Sequence, residues 1–474
     1  MIFRCEPSHQ RITAATRSAP LPQRPSLPLP DFTYHPDHVI YPMKRAKEDR
    51  GKNKWERTTW EDACNIIEEN IGRIKKEHGA ESIVVFGETS REGGPMCGPY
   101  GMAMINIIIQ EDLYDHDFVD RFCYGFEQLA ERVATMPAEK ATEICGLDVE
   151  FRERHRSMVG THYGASPNML GSVVDAVKVG ETKGDLEIQY ELGTRLNPGT
   201  YARFANFEEF RAEFRMGNCG MTYEELKEKV VYQREVNYRK YETGRLRPDG
   251  QPGFLTPTGR VELWSSQFND NGMDPLPYYY EPDLSPRIPD KKPEDLHLLA
   301  NPYVPEELDA KWHERDLSHE EIMKKYPFIL STGHRRYSSF HSEHRQIAVL
   351  REIDPNPMLE INPKDAEKIG LADGQWCEIS NMFGKAKYKA RILPTIKEGH
   401  VEADHGWWFP EQDGSEPSLF GVWQSNCNDL IPLHHNNALG LGAPYKSACC
   451  NVTPLKESYD VDMKAFGEKF GKLV

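Results

Sequence analysis

The sequence predicts α/β fragments followed by a compact C-terminal β-barrel, and two observations carry that expectation. The first lies between Tyr326 and Cys450. Short apolar strands there, Phe328-Ile329-Leu330 and Gln375-Trp376-Cys377-Glu378-Ile379-Ser380, are punctuated by a short helix over Lys364–Ile369 and by turns at Gly374 and Gly384. The second is a helix and an apolar strand closing on a Gly-rich loop, Gly87 to Gly94, the repeating unit of a parallel α/β domain.

Taken in order, residues 1–31 are rich in proline and read as a disordered tail. An irregular entry arm follows, where Lys44 and Arg45 either reach an anionic ligand or stand as solvated charges. Thr58-Thr59-Trp60-Glu61 has the form of a capping box. Ala63, Ile66, Ile67, Ile71 and Ile74 follow at helical spacing, and Gly79 ends the helix. Ser82 to Phe86 is a buried strand. Helices are expected over Met102–Gln110 and Asp117–Val133, the latter with Phe118, Val119, Phe122, Phe126 and Leu129 on its apolar face. Residues 150–220 show no sustained periodicity. Glu224–Tyr241 reads as a polar helix, Val261–Trp264 as a strand, and 274–293 as a proline-rich linker. The expected domains are 1–31, 32–150, 151–325 (irregular region and linker) and 326–474 (barrel).

Composition narrows the function. A net charge of −16 argues against a general nucleic-acid binder, since affinity for phosphate backbones needs clustered Lys and Arg. None of the ten cysteines has the C-x-x-C spacing of a zinc or iron–sulfur site, so reduced, mostly buried thiols are expected. No apolar run approaches the ~20 residues that span a bilayer. The N-terminus lacks a secretory layout and a twin-arginine pair, and the expected location is cytoplasmic.

Several phrases then point one way. They are His35-Pro36-Asp37 through Pro42 and Arg45, Lys54-Trp55-Glu56-Arg57, the Thr89–Gly94 loop and Glu111 through Asp120. Further on come Gly253-Phe254, Thr256-Pro257-Thr258-Gly259, Pro275-Leu276-Pro277, and the run from Met358 to Gly374. In this order they resemble the molybdopterin-dependent oxidoreductases of the dimethyl sulfoxide reductase type. The resemblance implies that the C-terminal barrel is a double-psi β-barrel binding molybdopterin guanine dinucleotide with molybdenum or tungsten. It places Thr332, Gly333, His334 and Arg335 in the loop after the first barrel strand, against the cofactor. His341, His405, Gly406, Trp407, Asn426, Asn428 and Lys446 are implied contacts from later loops. Asn362 either joins them or caps the short helix. Adjacent Arg335 and Arg336 favour phosphate contact over a solvated pair. Trp407-Trp408 reads as packing.

Three features depart from the family pattern. No four-cysteine motif is present, so an iron–sulfur cluster is not expected in this chain. The segment that supplies a protein ligand to the metal is missing after Gly101, leaving catalytic residues unknown and no metal ligand assigned. Residues 150–220 match poorly where a second α/β half belongs. The expected function is a molybdopterin-binding oxidoreductase, or a subunit of one. It would carry out two-electron redox or oxygen-atom transfer on a small molecule, with electrons leaving through an iron–sulfur partner subunit. The alternative is a catalytically inactive pterin-binding or accessory remnant of such an enzyme.

Overall fold

The computed structural model describes residues 31, 33–83, 94–145, 169–171, 178–216, 221–229, 231–233, 238–270, 272, 274–277, 319–334, 336–431 and 448–471. Alternation decides the C-terminal core. In Lys385–Ile392, Ala386, Tyr388 and Ala390 are buried, while the Lys and Arg residues between them are more exposed, the period of a strand with one face on a core. Six such strands, numbered β1 (Phe328–His334), β2 (Met358–Ile361), β3 (Trp376–Ser380), β4 (Lys385–Ile392), β5 (His400–Asp404) and β6 (Ala448–Pro454), close into a barrel. Their order is β4-β2-β5-β1-β6-β3. The β4–β2 and β5–β1 pairs are parallel, and the other four are antiparallel. Leu330, Leu359, Ile361, Ile379, Tyr388 and Val401 fill the interior and are essentially inaccessible.

This register defines two ends. β1 and β5 finish side by side, with Asp404 opposite His334, where β2, β4 and β6 begin and β3 ends. The long connections 335–357 and 405–447 leave from this mouth. At the opposite end lie the β2–β3 connection and residues 393–399.

The chain forms two compact units, one of Met1–Arg91, Asp175–Phe207 and Pro282–Val474, the other of Glu92–Val174 and Glu208–Glu281. In the first, α1 (Trp60–His78) is capped by Thr59, whose hydroxyl accepts from the Asp62 N–H, and it ends at Gly79 with φ +87°. The expected threonine cap is thus one residue later, and the Asp62 carboxylate accepts from the Thr58 hydroxyl and Lys44. Arg195 of a helix over Asp185–Leu196 reaches Asn65 and Glu68 of α1. That helix lies where the sequence shows no periodicity, because it buries none of its residues fully and so carries no apolar stripe. Lys44 pairs with Asp62 at 2.8 Å, and the Arg45 guanidinium lies over Trp55. Of the expected strand over Ser82–Phe86, residues 84–86 lie outside the described residues, and Ser82 ends a 3-10 turn.

The second unit packs Met102, Ala103, Leu129, Val133, Met136 and Ala141 into a small core. The single helix expected over Asp117–Val133 is two, His116–Phe122 and Phe126–Ala134. Gly125, at φ +81°, breaks it, and Cys123–Tyr124 pairs parallel with Val261–Glu262. The polar helix expected over Glu224–Tyr241 is shorter, Tyr223–Lys229, because Val231–Gln233 pairs with Met169–Gly171 instead.

Candidate functional site

The mouth is built on a buried ion cluster. A register shift between Ala403 and Asp404 turns the Asp404 carboxylate toward the loops, where it accepts from Arg336 Nε at 2.7 Å and from the Met358 N–H at 2.9 Å. Arg336 also donates to Glu360 at 3.0 Å. Burial raises the Asp404 pKa, and Arg336 and the Met358 amide pull it back only in part. Burial would lower Arg336, but the two carboxylates outweigh it and hold the guanidinium charged. Below the cluster, the Tyr388 hydroxyl is 3.0 Å from the carbonyl oxygens of both Asp404 and Ser425, donating to one at a time. Arg336 is therefore neither a solvated charge nor an open phosphate contact; two carboxylates occupy it.

Two loops meet above this cluster. His341, at φ +52°, brings Nδ1 to 2.9 Å from Nε2 of His405, so the two imidazoles can hold one proton between them. A positive φ at a non-glycine residue is costly and marks a backbone held by its surroundings. Gly406 permits the approach. At φ +62°, a Cβ there would stand 2.9 Å from the His341 carbonyl carbon and 3.0 Å from the Ser342 nitrogen. Arg345, 4% exposed, donates to the carbonyls of His341 at 3.2 Å and His405 at 3.4 Å, tying the loops together. Its guanidinium lies 4.2 Å from the centre of the Trp407 ring, and Arg351 lies 4.8 Å from it. Arg351 is anchored by Glu411 at 3.1 Å and by the Pro355 carbonyl at 2.9 Å.

The structure brings His341, His405, Gly406 and Trp407 into one cluster. Thr332, Gly333 and His334 end β1 at the same mouth, Thr332 buried against the Cys427 thiol. Asn426 and Asn428 lie in the same long connection, where the Asn426 side chain accepts from the Asn428 N–H and opens a 3-10 turn over Cys427–Leu430. Arg335 and Lys446 lie outside the described residues. Asn362 must be removed from the group. It follows β2 at the far end of the barrel, accepts from the Lys364 N–H at 2.9 Å as the cap of the helix Pro363–Ile369, and donates to the Ile396 carbonyl at 2.7 Å. Its position in the strand register decides this, because β2 runs away from the mouth. Asn362→Ala is expected to lower barrel stability by about 1 kcal/mol without changing ligand affinity at the mouth. Chemical unfolding and a binding titration on one preparation check both halves.

Sequence reasoning missed Arg345, Arg351, Glu411 and Asp404. The signal available was two arginines bracketing the apolar run Ile347 to Leu350, charges that cannot be buried without partners.

An anionic cofactor rich in oxygen acceptors fits this donor set. Arg345 Nε and Trp407 Nε1 are buried donors with no acceptor among the described residues. Among those residues no group of three or more His, Cys, Asp or Glu could hold a metal ion. No helix among them is long and apolar enough to cross a membrane.

Comparison with known proteins agrees with this geometry. Residues 328–448 match the family model of the molydopterin dinucleotide binding domain, and residues 39–91 that of molybdopterin oxidoreductase. The chain is 30% identical over 241 residues to the acetylene hydratase of Syntrophotalea acetylenica, covering 51% of this chain and 28% of that protein. It is 31% identical over 216 residues to the dopamine dehydroxylase of Eggerthella lenta, covering 41% and 18%. To the dimethyl sulfoxide reductase DmsA of Escherichia coli it is 48% identical over 236 residues, covering 47% and 24%. The chain thus spans less than a third of these curated relatives. Its fold is similar to that of the acetylene hydratase from Pelobacter acetylenicus, with a TM-score of 0.70 at 18% identity over 89% of this chain and 93% of the other.

Proposed function

The chain is related to the molybdopterin-dependent oxidoreductases of the dimethyl sulfoxide reductase family, and from that premise we propose that residues 326–474 bind a molybdopterin guanine dinucleotide in an oxidoreductase or a subunit of one. One observation carries this reading. The segment that matches the dinucleotide-binding family model contains five of the six barrel strands and gathers His341, Arg345, His405 and Trp407 at one mouth. The two parallel pairs, β1–β5 and β2–β4, support reading the barrel as double-psi. When bound, the cofactor supplies a dithiolene-held molybdenum or tungsten capable of two-electron or oxygen-atom chemistry.

The chain's own residues bind and orient. Gly333, His334 and the 405–407 backbone frame the ligand, Arg345 offers positive charge, and the His341–His405 pair holds a proton beside it. Asn426 and Asn428 stand where the same connection returns toward β6. A small-molecule substrate and an iron–sulfur partner subunit complete the proposal.

Protein purified anaerobically from cells supplied with molybdate or tungstate tests it. Metal by mass spectrometry near one per chain, with fluorescent oxidised pterin and GMP released by acid, is the expected result. Absence of both pterin and GMP sinks the cofactor reading.

A further inference from the structure

Beyond β6 the chain crosses the outside of the barrel and returns to the mouth. Trp376 alternates with the interior residues Cys377 and Ile379, so it lies on the outer face of β3, yet it is only 2% exposed. The segment after Pro454 covers it. Leu455 donates its N–H to the Trp376 carbonyl at 2.8 Å, and the Tyr459 ring packs edge-on against the indole. Asp460 then gathers three side-chain donors on one carboxylate oxygen: Trp376 Nε1 at 3.1 Å, Lys389 Nζ at 2.6 Å and Asn356 Nδ2 at 3.0 Å. Asn356 belongs to the first mouth connection and accepts in return from the Val461 N–H at 3.2 Å. Asp462 caps the helix Met463–Phe470, which buries Phe466 and Phe470. The Arg351 guanidinium lies 5.3 Å from the centre of the Phe466 ring, and Lys469 donates to the Pro410 carbonyl at 3.3 Å. Phe470 stacks on His35 of the entry arm, whose Nε2 is 3.2 Å from the Gln346 carbonyl oxygen. One short helix thus touches both mouth connections.

The seam under this helix is closed but not satisfied. Arg345 Nε, Gln346 Oε1, Trp407 Nε1 and Glu411 Oε2 are all buried on the two connections without hydrogen-bond partners among the described residues. Unpaired buried donors and acceptors penalise the closed state, and water would satisfy all four once the connections part. The Asp460 side chain is 45% exposed, so water also competes for its donors. We propose that residues 455–470 are a releasable clasp, which Asp460 pins to the barrel wall and whose helix holds the mouth connections shut. The clasp rests on the proposed function for its cargo, a pterin dinucleotide retained behind it; the opening movement does not depend on that reading. Phe466 carries the movement inward, since the Arg351 guanidinium against it also lies 4.8 Å from the centre of the Trp407 ring.

Hydrogen–deuterium exchange on the full-length chain, with and without its cofactor, tests the clasp. Asp460→Ala should speed exchange of the 338–356 and 463–470 amides together by about ten-fold, while the amides of β1, β2 and β5 keep their wild-type rates. Asp460→Asn keeps an acceptor for Trp376 and Asn356 but not the charge for Lys389, and should fall between. Phe466→Ala should open the same amides with Asp460 intact. In protein that carries pterin and GMP, Asp460→Ala and Phe466→Ala should each release them about ten-fold faster than wild type. Unchanged exchange of the 338–356 amides in both variants overturns the clasp. Equal acceleration of the barrel strands overturns it too, because the segment would then be part of the barrel's own core. Faster exchange in the connections with unchanged release shows that the segment does not retain the cofactor, and the proposal fails while the proposed function stands. If the purified chain carries neither pterin nor GMP, the proposed function fails, and the exchange pattern alone decides the clasp.

Discussion

Replacing Arg336 by Met is expected to destabilise the barrel by about 3–5 kcal/mol, because it leaves Asp404 buried without its cation and Glu360 with only Arg391, 3.8 Å away. Asp404 is 1% exposed and Glu360 6%, so water reaches neither well enough to replace the lost donor. The Arg336 fork is what ties the end of β5 to β2 and to the start of the first mouth loop. Four of the chain's eight tryptophans, Trp376, Trp407, Trp408 and Trp423, lie in this region, so urea unfolding followed by fluorescence reports on it. The effect also has a pH signature. Burial already raises the folded-state pKa of Asp404, and losing Arg336 removes the main opposing pull. A carboxyl raised in the folded state favours folding below its unfolded pKa and loses that contribution as pH rises through the folded value. The deficit of Arg336→Met should therefore be largest above the raised folded-state pKa of Asp404 and shrink as pH falls through it toward the ordinary carboxylate range. A pH-independent deficit would mean that Asp404 does not carry the cost.

Gly406→Ala should destabilise the mouth by about 2–4 kcal/mol. Positive φ accounts for part of it, and the rest is the collision with the His341–Ser342 backbone, which has no flexible end to move aside. The expected consequence is local. The 338–346 amides should exchange faster with deuterium, since Arg345 can no longer hold both loop carbonyls. Unchanged exchange in those amides would show that the approach of the two loops does not depend on this glycine.

The barrel was legible where its physics is local. Alternation in β3 and β4, the glycine turns and the Asn-Pro helix start each specify an element within a few residues, and the structure contains them. Helix α1 was legible through its threonine cap, with the cap displaced by one residue. Helix periodicity across Phe118 to Leu129 misled, because an apolar stripe continues on either side of Gly125 while the backbone breaks there. At the site, residue types carried the resemblance but not the geometry. Asn362 sits in a family-like phrase yet lies at the wrong end of the barrel, a fact fixed by strand direction alone. Arg345 gave no periodic signal, and its meaning depends on carbonyls and an indole as far as 62 positions away along the chain, from Arg345 to Trp407. Long-range pairing of that kind is what a single sequence conceals.

The position of β6 has a consequence for how the protein is made. It is the last barrel strand, and it alone joins β1 to β3. Until Pro454 has left the ribosome, the five earlier strands can form only an open sheet with two bare edges. The loops that carry His341 and His405 would be built over a structure that is still unsealed, and cellular chaperones would meet that form first. Completion of the mouth is thus tied in time to the synthesis of β6.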